Sequence, residues 1–235
     1  MTEAEAIFDR QHISLRELQS LTAQGASYGA SPDPEGVLRS GLVEEVAEYW
    51  DEVVTNPNTA KDDLEGELGD VLWYISEISR FREESIVGLM PQQTLEDFQT
   101  SLPSSLLMPV VDTEGNTFDL SDSPAAVLAV TALRVVDSMN PKNPKLWLPG
   151  EHQLSLGEAL GDLLTATAYI ANLNDVALSE AVRHTHNKLS SRMRSPHVIE
   201  REVGVRPVNS LRHRLNIHPF IEQVLRESLV EETHL

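Results

Sequence analysis

Two short stretches of the chain place carboxylates among apolar residues at helical spacing. They are "GLVEEVAEYW" and "LEGELGDVLWYI", and they contain Glu44, Glu45, Glu48, Glu67 and Asp70. Residues three apart on an α-helix lie about 60° apart around its axis, so Glu45 shares a face with Glu48, and Glu67 shares one with Asp70. If the two helices pack antiparallel, these four carboxylates converge on one point.

Such a cluster suits a hard divalent cation. Carboxylates this close raise one another's pKa unless a cation neutralises them, and an all-oxygen site suits Mg²⁺ or Mn²⁺. A solvated acidic stripe would have basic partners one turn away, but Lys61 is the only Lys or Arg between Arg39 and Arg80. A di-iron carboxylate bundle pairs Glu with His three residues later, and no Glu-x-x-His occurs at these positions. The residues therefore predict a site for a hard divalent cation such as Mg²⁺ or Mn²⁺.

The elements that must position these carboxylates are helices. Apolar residues recur at spacings of three and four in six segments: "ISLRELQSLTAQ", "VLRSGLVEEVAEYWDEVV", "DLEGELGDVLWYISEISRF", "AAVLAVTALRVVDSM", "LSLGEALGDLLTATAYIANL" and "LSEAVRHTHNKLSSRM". Proline and glycine lie between them, and 108–121 reads as a linker or short hairpin with its turn at Glu114-Gly115-Asn116. The pattern predicts an all-α helical bundle.

The two halves of the chain resemble each other. "LEGELGDVLWYI" aligns with "LGEALGDLLTAT" at an offset of 92, and the preceding helices align by apolar pattern at an offset of 90. Helices of one bundle can look alike through composition, but a degenerate tandem repeat explains the constant offsets better. We predict a first unit at 1–107, the linker or hairpin at 108–121, a second, degenerate unit at 122–194 and a C-terminal extension at 195–235.

Charge and composition restrict the partners. Lys plus Arg number 18 against 37 Asp plus Glu, so nucleic acid, a polyanion, is not an expected partner. The absence of cysteine excludes disulfides and thiolate sites and fits a cytoplasmic location. No apolar run approaches the roughly 20 residues of a membrane span, and the acidic start lacks the pattern of a signal peptide. We expect a soluble cytoplasmic protein that does not bind membranes.

The two acidic motifs also resemble those of a known family. Glu-Glu-x-x-Glu at 44–48, then 18 intervening residues and Glu-x-x-Asp at 67–70, resemble the MazG-like all-α nucleoside triphosphate pyrophosphohydrolases. That superfamily includes dimeric dUTPases and phosphoribosyl-ATP pyrophosphohydrolases. The likeness extends to "DVLWYI" after the aspartate and to the N-terminal segment "ISLRELQSLTAQ". It implies hydrolysis of a nucleoside triphosphate to the monophosphate and pyrophosphate, for instance in nucleotide-pool cleaning.

The resemblance also implies roles for individual residues. Glu45, Glu48, Glu67 and Asp70 would hold Mg²⁺, and Glu44 would orient the attacking water or contact the ligand residues. Two further positions have an ordinary structural alternative. Lys61 would contact phosphate or be a flexible surface lysine, and Trp73 would stack on a base or belong to the core.

The second half departs from the family pattern. At the two offsets, Val135, Ser138 and Ala159 replace Glu45, Glu48 and Glu67, so three of the four ligands are lost. The last predicted helix, "AVRHTHNKLSSR", instead resembles the family's fourth helix and would bring Asn187, Lys188 and Arg192 to the substrate.

A fused pseudo-dimer with one composite site explains this division, with acids from the first unit and cations from the second. A basic helix near a C-terminus is also a generic stabilising feature. With both units in one chain, we expect a monomer or homodimer. The alternative to an enzyme is a catalytically inactive MazG-like module for nucleotide binding or assembly.

Overall fold

Six helices and one short strand pair form the regular structure of the described part of the chain. The computed structural model describes residues 15–25, 31–55, 59–83, 110–111, 117–118, 123–139 and 154–194. The elements are α1 (Leu15–Gly25), α2 (Pro34–Thr55), α3 (Lys61–Phe81), β1 (Val110–Val111), β2 (Thr117–Phe118), α4 (Pro124–Met139), α5 (Leu156–Leu173) and α6 (Leu178–Arg194). The all-α fold class is confirmed, and the helices lie where the apolar spacing predicted them.

The two strands lie inside the segment 108–121. They are antiparallel, with Val110 opposite Phe118 and Val111 opposite Thr117. The turn predicted at 114–116 lies outside the described residues, as does the C-terminal extension 195–235.

Capping residues in the local sequence mark the starts of α2 and α5. Asp33 precedes α2, and its Oδ1 accepts a hydrogen bond of 2.9 Å from the backbone N–H of Gly36. Pro34 suits the first helical position because that residue needs no N–H partner. At the start of α5, Ser155 and Glu158 form a reciprocal capping box. The starts of α2 and α5 are therefore set by residues within one helical turn.

Two helix pairs make up the bundle. α2 packs along α3 across a short connection, and α4 packs along α5; α2 also contacts α4, and α3 contacts α5. A side chain at Gly41, early in α2, would overlap the hydroxyl of Tyr74, late in α3, so α2 and α3 run antiparallel. α6 lies against α3, and α1 packs on both α3 and α6.

A single hydrophobic core joins the two helix pairs. The buried apolar residues of α2 and α3, such as Leu42 and Leu72, belong to the same cluster as those of α4 and α5, such as Val135 and Leu160. Truncation of a buried leucine to alanine typically costs about 2–5 kcal/mol, so packing between the two pairs stabilises both of them.

Arg82, at the end of α3, forms hydrogen bonds to residues at the ends of two other helices. Its Nη2 donates to Glu35 Oε1 at 2.6 Å and to the backbone carbonyl of Met139 at 2.8 Å. Met139 ends α4, where the carbonyls carry the negative end of the helix dipole and favour a cation. The contact ties the end of α3 to the start of α2 and the end of α4. None of the described helices is long and apolar enough to cross a membrane.

Candidate metal centre

Three glutamates from two helices meet between α2 and α3. Glu45 and Glu48 lie one turn apart on α2, and Glu67 faces them from α3; one carboxylate oxygen of each lies within 4.8 Å of the others. The antiparallel packing of α2 and α3 produces this meeting, because it brings the middle of one helix against the first half of the other. The geometry can hold a divalent cation.

Burial makes this cluster electrostatically unfavourable without a cation. Burial and the charges of Asp70, Glu48 and Glu67 raise the pKa of Glu45 to about 9, while Lys188 acts in the opposite direction. Burial, together with Glu48 and Asp70, raises the pKa of Glu67 to about 7. Burial and the neighbouring carboxylates therefore disfavour ionisation of Glu45 and Glu67.

Two oxygen atoms of the cluster are buried without a hydrogen-bond partner. They are Oε2 of Glu45 and Oε2 of Glu67. A buried carboxylate oxygen left unpaired is costly, and hard cations such as Mg²⁺ and Mn²⁺ satisfy such oxygens by direct coordination. The donor set, the spacing and these two atoms all fit a divalent metal.

Asp70 stands apart from the three glutamates. It is buried, and both of its oxygens are engaged by α6: Thr185 Oγ1 donates to Oδ1 at 2.7 Å, and Lys188 Nζ pairs with Oδ2. The predicted set of four ligands is therefore divided into three clustered glutamates and one aspartate held by α6.

Gly69 allows α6 to approach α3 closely. A Cβ at this position would overlap the backbone carbonyl of Ala181 and crowd Thr185 Oγ1. The neighbouring Gly66 faces His184, whose Nε2 would lie 3.5 Å from an added Cβ, an ordinary contact distance. The absence of a side chain at Gly69 is what brings Thr185 and Lys188 within reach of Asp70.

The remaining predicted residues occupy varied surroundings. Glu44 is partly buried and lies about 100° around α2 from Glu45. Lys61 is exposed, and its Nζ lies 3.8 Å from Asp175 Oδ2. Asn187 is exposed on α6, and the side chain of Arg192 lies outside the described residues.

Trp73 is partly buried beside a small crevice that is partly open to solvent. α1, α3 and α6 line this crevice, with Thr22, Thr185 and His186 as its polar lining residues. The Trp73 ring meets that of Tyr74 edge to face at 4.8 Å between centroids. Trp73 thus packs on the core while bordering a space next to the Asp70 contacts.

Two residues at the site were not singled out from the sequence. Thr185 lies three residues before Lys188 on α6, and this spacing places both on one face. Glu52 contributes to the raised pKa of Glu67 and follows Glu48 by four residues on α2. Helical spacing from residues already selected was the available signal for both.

Fold and site together define an all-helical protein with a carboxylate cluster between two antiparallel helices. Residues 35–89 match the family model of the MazG nucleotide pyrophosphohydrolase domain, which confirms the resemblance drawn from the two acidic motifs. The matched segment contains the three clustered glutamates and Asp70, but it ends well before α6. No curated protein and no solved structure matches the chain.

Proposed function

We propose that this protein is a metal-dependent nucleoside triphosphate pyrophosphohydrolase, which converts a (d)NTP to the (d)NMP and pyrophosphate and serves in nucleotide-pool cleaning. Mg²⁺ is the proposed metal, and Mn²⁺ is expected to replace it. The observation that carries the proposal is the cluster of Glu45, Glu48 and Glu67 inside the segment that matches the MazG domain. Two of its buried oxygens lack partners and so call for a cation.

The reaction divides among the chain's own residues. Glu45, Glu48 and Glu67, with Asp70 beside them, would hold the metal, which would supply a positive charge for the phosphates and for activation of water. In the proposed reaction, the oxygen of a water molecule bonds to the α-phosphorus while the bond to the α–β bridging oxygen breaks, and pyrophosphate leaves. Glu44 is proposed to orient the water and accept its proton.

Cations from α6 complete the site in this proposal. Lys188 pairs with Asp70, so its ammonium already lies beside the acidic cluster, and Asn187 immediately precedes Lys188 on the same helix. The substrate's phosphates would meet Lys188 once they approach the metal. Support for a composite site therefore comes from the close packing of α6 on α3 at Gly69.

The second helix pair is proposed to be a degenerate copy of the first. Val135 and Ala159, which align with Glu45 and Glu67, are fully buried in the core. Asp162 aligns with Asp70 and lies 3.4 Å from Arg134, which aligns with Glu44 and is only 6% exposed. In the second helix pair, the buried guanidinium of Arg134 thus supplies the positive charge that a metal ion is proposed to supply in the first pair. A chain that contains both copies is expected to work as a monomer or homodimer.

Pyrophosphate release from a panel of standard and modified dNTPs and NTPs, with and without Mg²⁺, tests the proposal. We expect metal-dependent release, and a loss of at least about 100-fold in Glu48→Gln because that residue belongs to the metal cluster. Glu65→Gln is the matched control: Glu65 lies about 200° around α3 from Glu67, and the variant should retain activity. No release from any substrate under any condition would refute the enzyme and favour a catalytically inactive binding module.

A further inference from the structure

Lys188 already contacts one of the proposed metal ligands. Its ammonium pairs with Asp70 Oδ2, and Thr185 donates to the other oxygen, Oδ1. Oδ1 already accepts from Thr185, and a metal on Oδ2 would lie directly beside the ammonium. With Lys188 in place, Asp70 could therefore join the three glutamates as a metal ligand only by bringing two positive charges together.

The surroundings of the two partners favour movement of Lys188 over movement of Asp70. Asp70 has 8% of its side chain exposed and is fixed by Thr185, whereas 36% of the Lys188 side chain is exposed. A lysine ammonium sits on a flexible four-carbon stem with rotatable donors, so it can exchange one anionic partner for another at small cost. Solvent access gives Lys188 a route away from Asp70.

Charge gives the exchange its driving force. Lys188 is the cation that opposes the raised pKa of both Glu45 and Glu67, so it partly neutralises the cluster in the metal-free protein. A divalent cation bound among these carboxylates would repel the ammonium, because like charges at a few ångströms repel by several kcal/mol at an effective dielectric constant of about 20.

We propose that Lys188 is an exchangeable counter-ion: it holds Asp70 in the metal-free protein, releases Asp70 when a divalent cation binds to the glutamates, and then turns to the phosphates of the substrate. The proposal rests on the proposed metal site. Thr185 keeps its hydrogen bond throughout and so holds Asp70 in position for the metal. Metal binding thereby creates the phosphate-binding ammonium, and the two binding events strengthen each other reciprocally.

Mn²⁺ titration of the full chain without nucleotide is the first test. Removal of the competing ammonium in Lys188→Met should tighten Mn²⁺ binding by at least about fivefold. Lys61→Met is the matched control: it removes the same charge from an exposed ion pair with Asp175, and it should bind Mn²⁺ like the original protein. Unchanged or weaker Mn²⁺ binding by Lys188→Met would overturn the exchange.

Acetylation of lysines, measured by mass spectrometry, reports directly whether Lys188 leaves Asp70. It uses the unaltered protein, so it does not depend on how well a variant folds. We expect the reactivity of Lys188 to rise at least about threefold on addition of Mg²⁺, with Lys61 unchanged as an internal reference. A Lys188 reactivity that stays constant while Mg²⁺ binds would overturn the exchange and leave the metal site intact. If Glu48→Gln binds Mn²⁺ as well as the original protein, the metal site fails, and the proposed function fails with it.

Discussion

The hydroxyl of Thr185 donates a hydrogen bond of 2.7 Å to Asp70, although 115 residues separate the two in the chain. Asp70 lies inside the segment 35–89 that matches the MazG domain, and Thr185 lies outside it. The position of a proposed metal ligand therefore depends on a helix that the family match does not include.

Substitution of Thr185 by valine tests this link. The change keeps the side chain's shape but leaves Asp70 Oδ1 without its donor, which should destabilise the fold by about 1–3 kcal/mol and lower turnover at least about tenfold. Thr165→Val is the control, since Thr165 donates only to the carbonyl of Gly161 on its own helix among the contacts seen. Urea unfolding and pyrophosphate release would check both, and equal effects in the two variants would contradict a special role for Thr185.

Two neighbouring glycines on α3 should respond oppositely to alanine. Gly69→Ala would push against the carbonyl of Ala181 and force α6 away, at a cost of about 1–3 kcal/mol or more. Gly66→Ala meets only an ordinary contact with His184 and should gain about 0.5–1 kcal/mol from helix propensity. Urea unfolding measures the free energy of unfolding of both variants. Equal stability of Gly69→Ala and Gly66→Ala would contradict a close approach of α6 to α3 at Gly69.

Metal affinity should increase with pH. A metal needs ionised carboxylates, and the pKa of Glu45 is raised to about 9 and that of Glu67 to about 7. Between pH 7 and 9 the apparent Kd for Mn²⁺ should fall by about tenfold per pH unit, with proton release on binding, and it should change more steeply below pH 7. Isothermal titration in buffers of different ionisation enthalpy would detect the released proton. A pH-independent Kd would contradict the raised pKa values.

Stability of the metal-free protein should decrease with pH. The folded-state pKa of Glu45 and of Glu67 lies above the ordinary value of 4.5, so the folded protein binds more protons than the unfolded chain between these values. Their contribution is fully present below about pH 4.5 and is lost as the pH rises through about 7 and then about 9.

Thermal unfolding in EDTA checks this expectation. Between pH 6 and 9, Tm should fall at least about 3 °C further in the original protein than in Glu45→Gln, a difference on the order of 1 kcal/mol for a chain of this length. Addition of Mg²⁺ should reduce the fall. Parallel curves for the two proteins in EDTA would show that Glu45 is not responsible.

The ion pair between Arg134 and Asp162 should contribute to the stability of the fold but not to metal affinity. Asp162→Asn removes a charge that lies 3.4 Å from the buried Arg134, which should cost about 1–3 kcal/mol. Mn²⁺ affinity should stay within about twofold of the original protein, because the proposed metal residues lie between α2 and α3. A large loss of Mn²⁺ binding by a folded Asp162→Asn protein would place a second metal site there.

Much of the fold was predictable because it follows from short-range pattern. The apolar spacing of three and four predicted α2 and α3, and the three-residue spacing of the acids predicted the acidic face of each helix. The capping box of Ser155 and Glu158 needs only four residues to form. Two antiparallel helices whose acidic residues lie at the same level were enough to indicate the carboxylate cluster between α2 and α3.

The separate state of Asp70 was not predictable in this way. Its spacing from Glu67 groups it with the other acids, but its oxygens are engaged by Thr185 and Lys188 of α6. Spacing along a helix determines which residues share a face, while it does not determine which other helix covers that face.

By itself, the sequence determined six helices, the acidic faces of α2 and α3 and the likeness to the MazG domain, because helix formation and side-chain periodicity depend on near neighbours. Only the tertiary structure decided that Glu45, Glu48 and Glu67 meet within 4.8 Å and that Lys188 reaches Asp70. Those distances depend on how closely distant helices pack. The close packing of α6 depends on the absence of a side chain at Gly69. No local pattern in the sequence shows that Ala181 and Thr185 of α6 lie against that position.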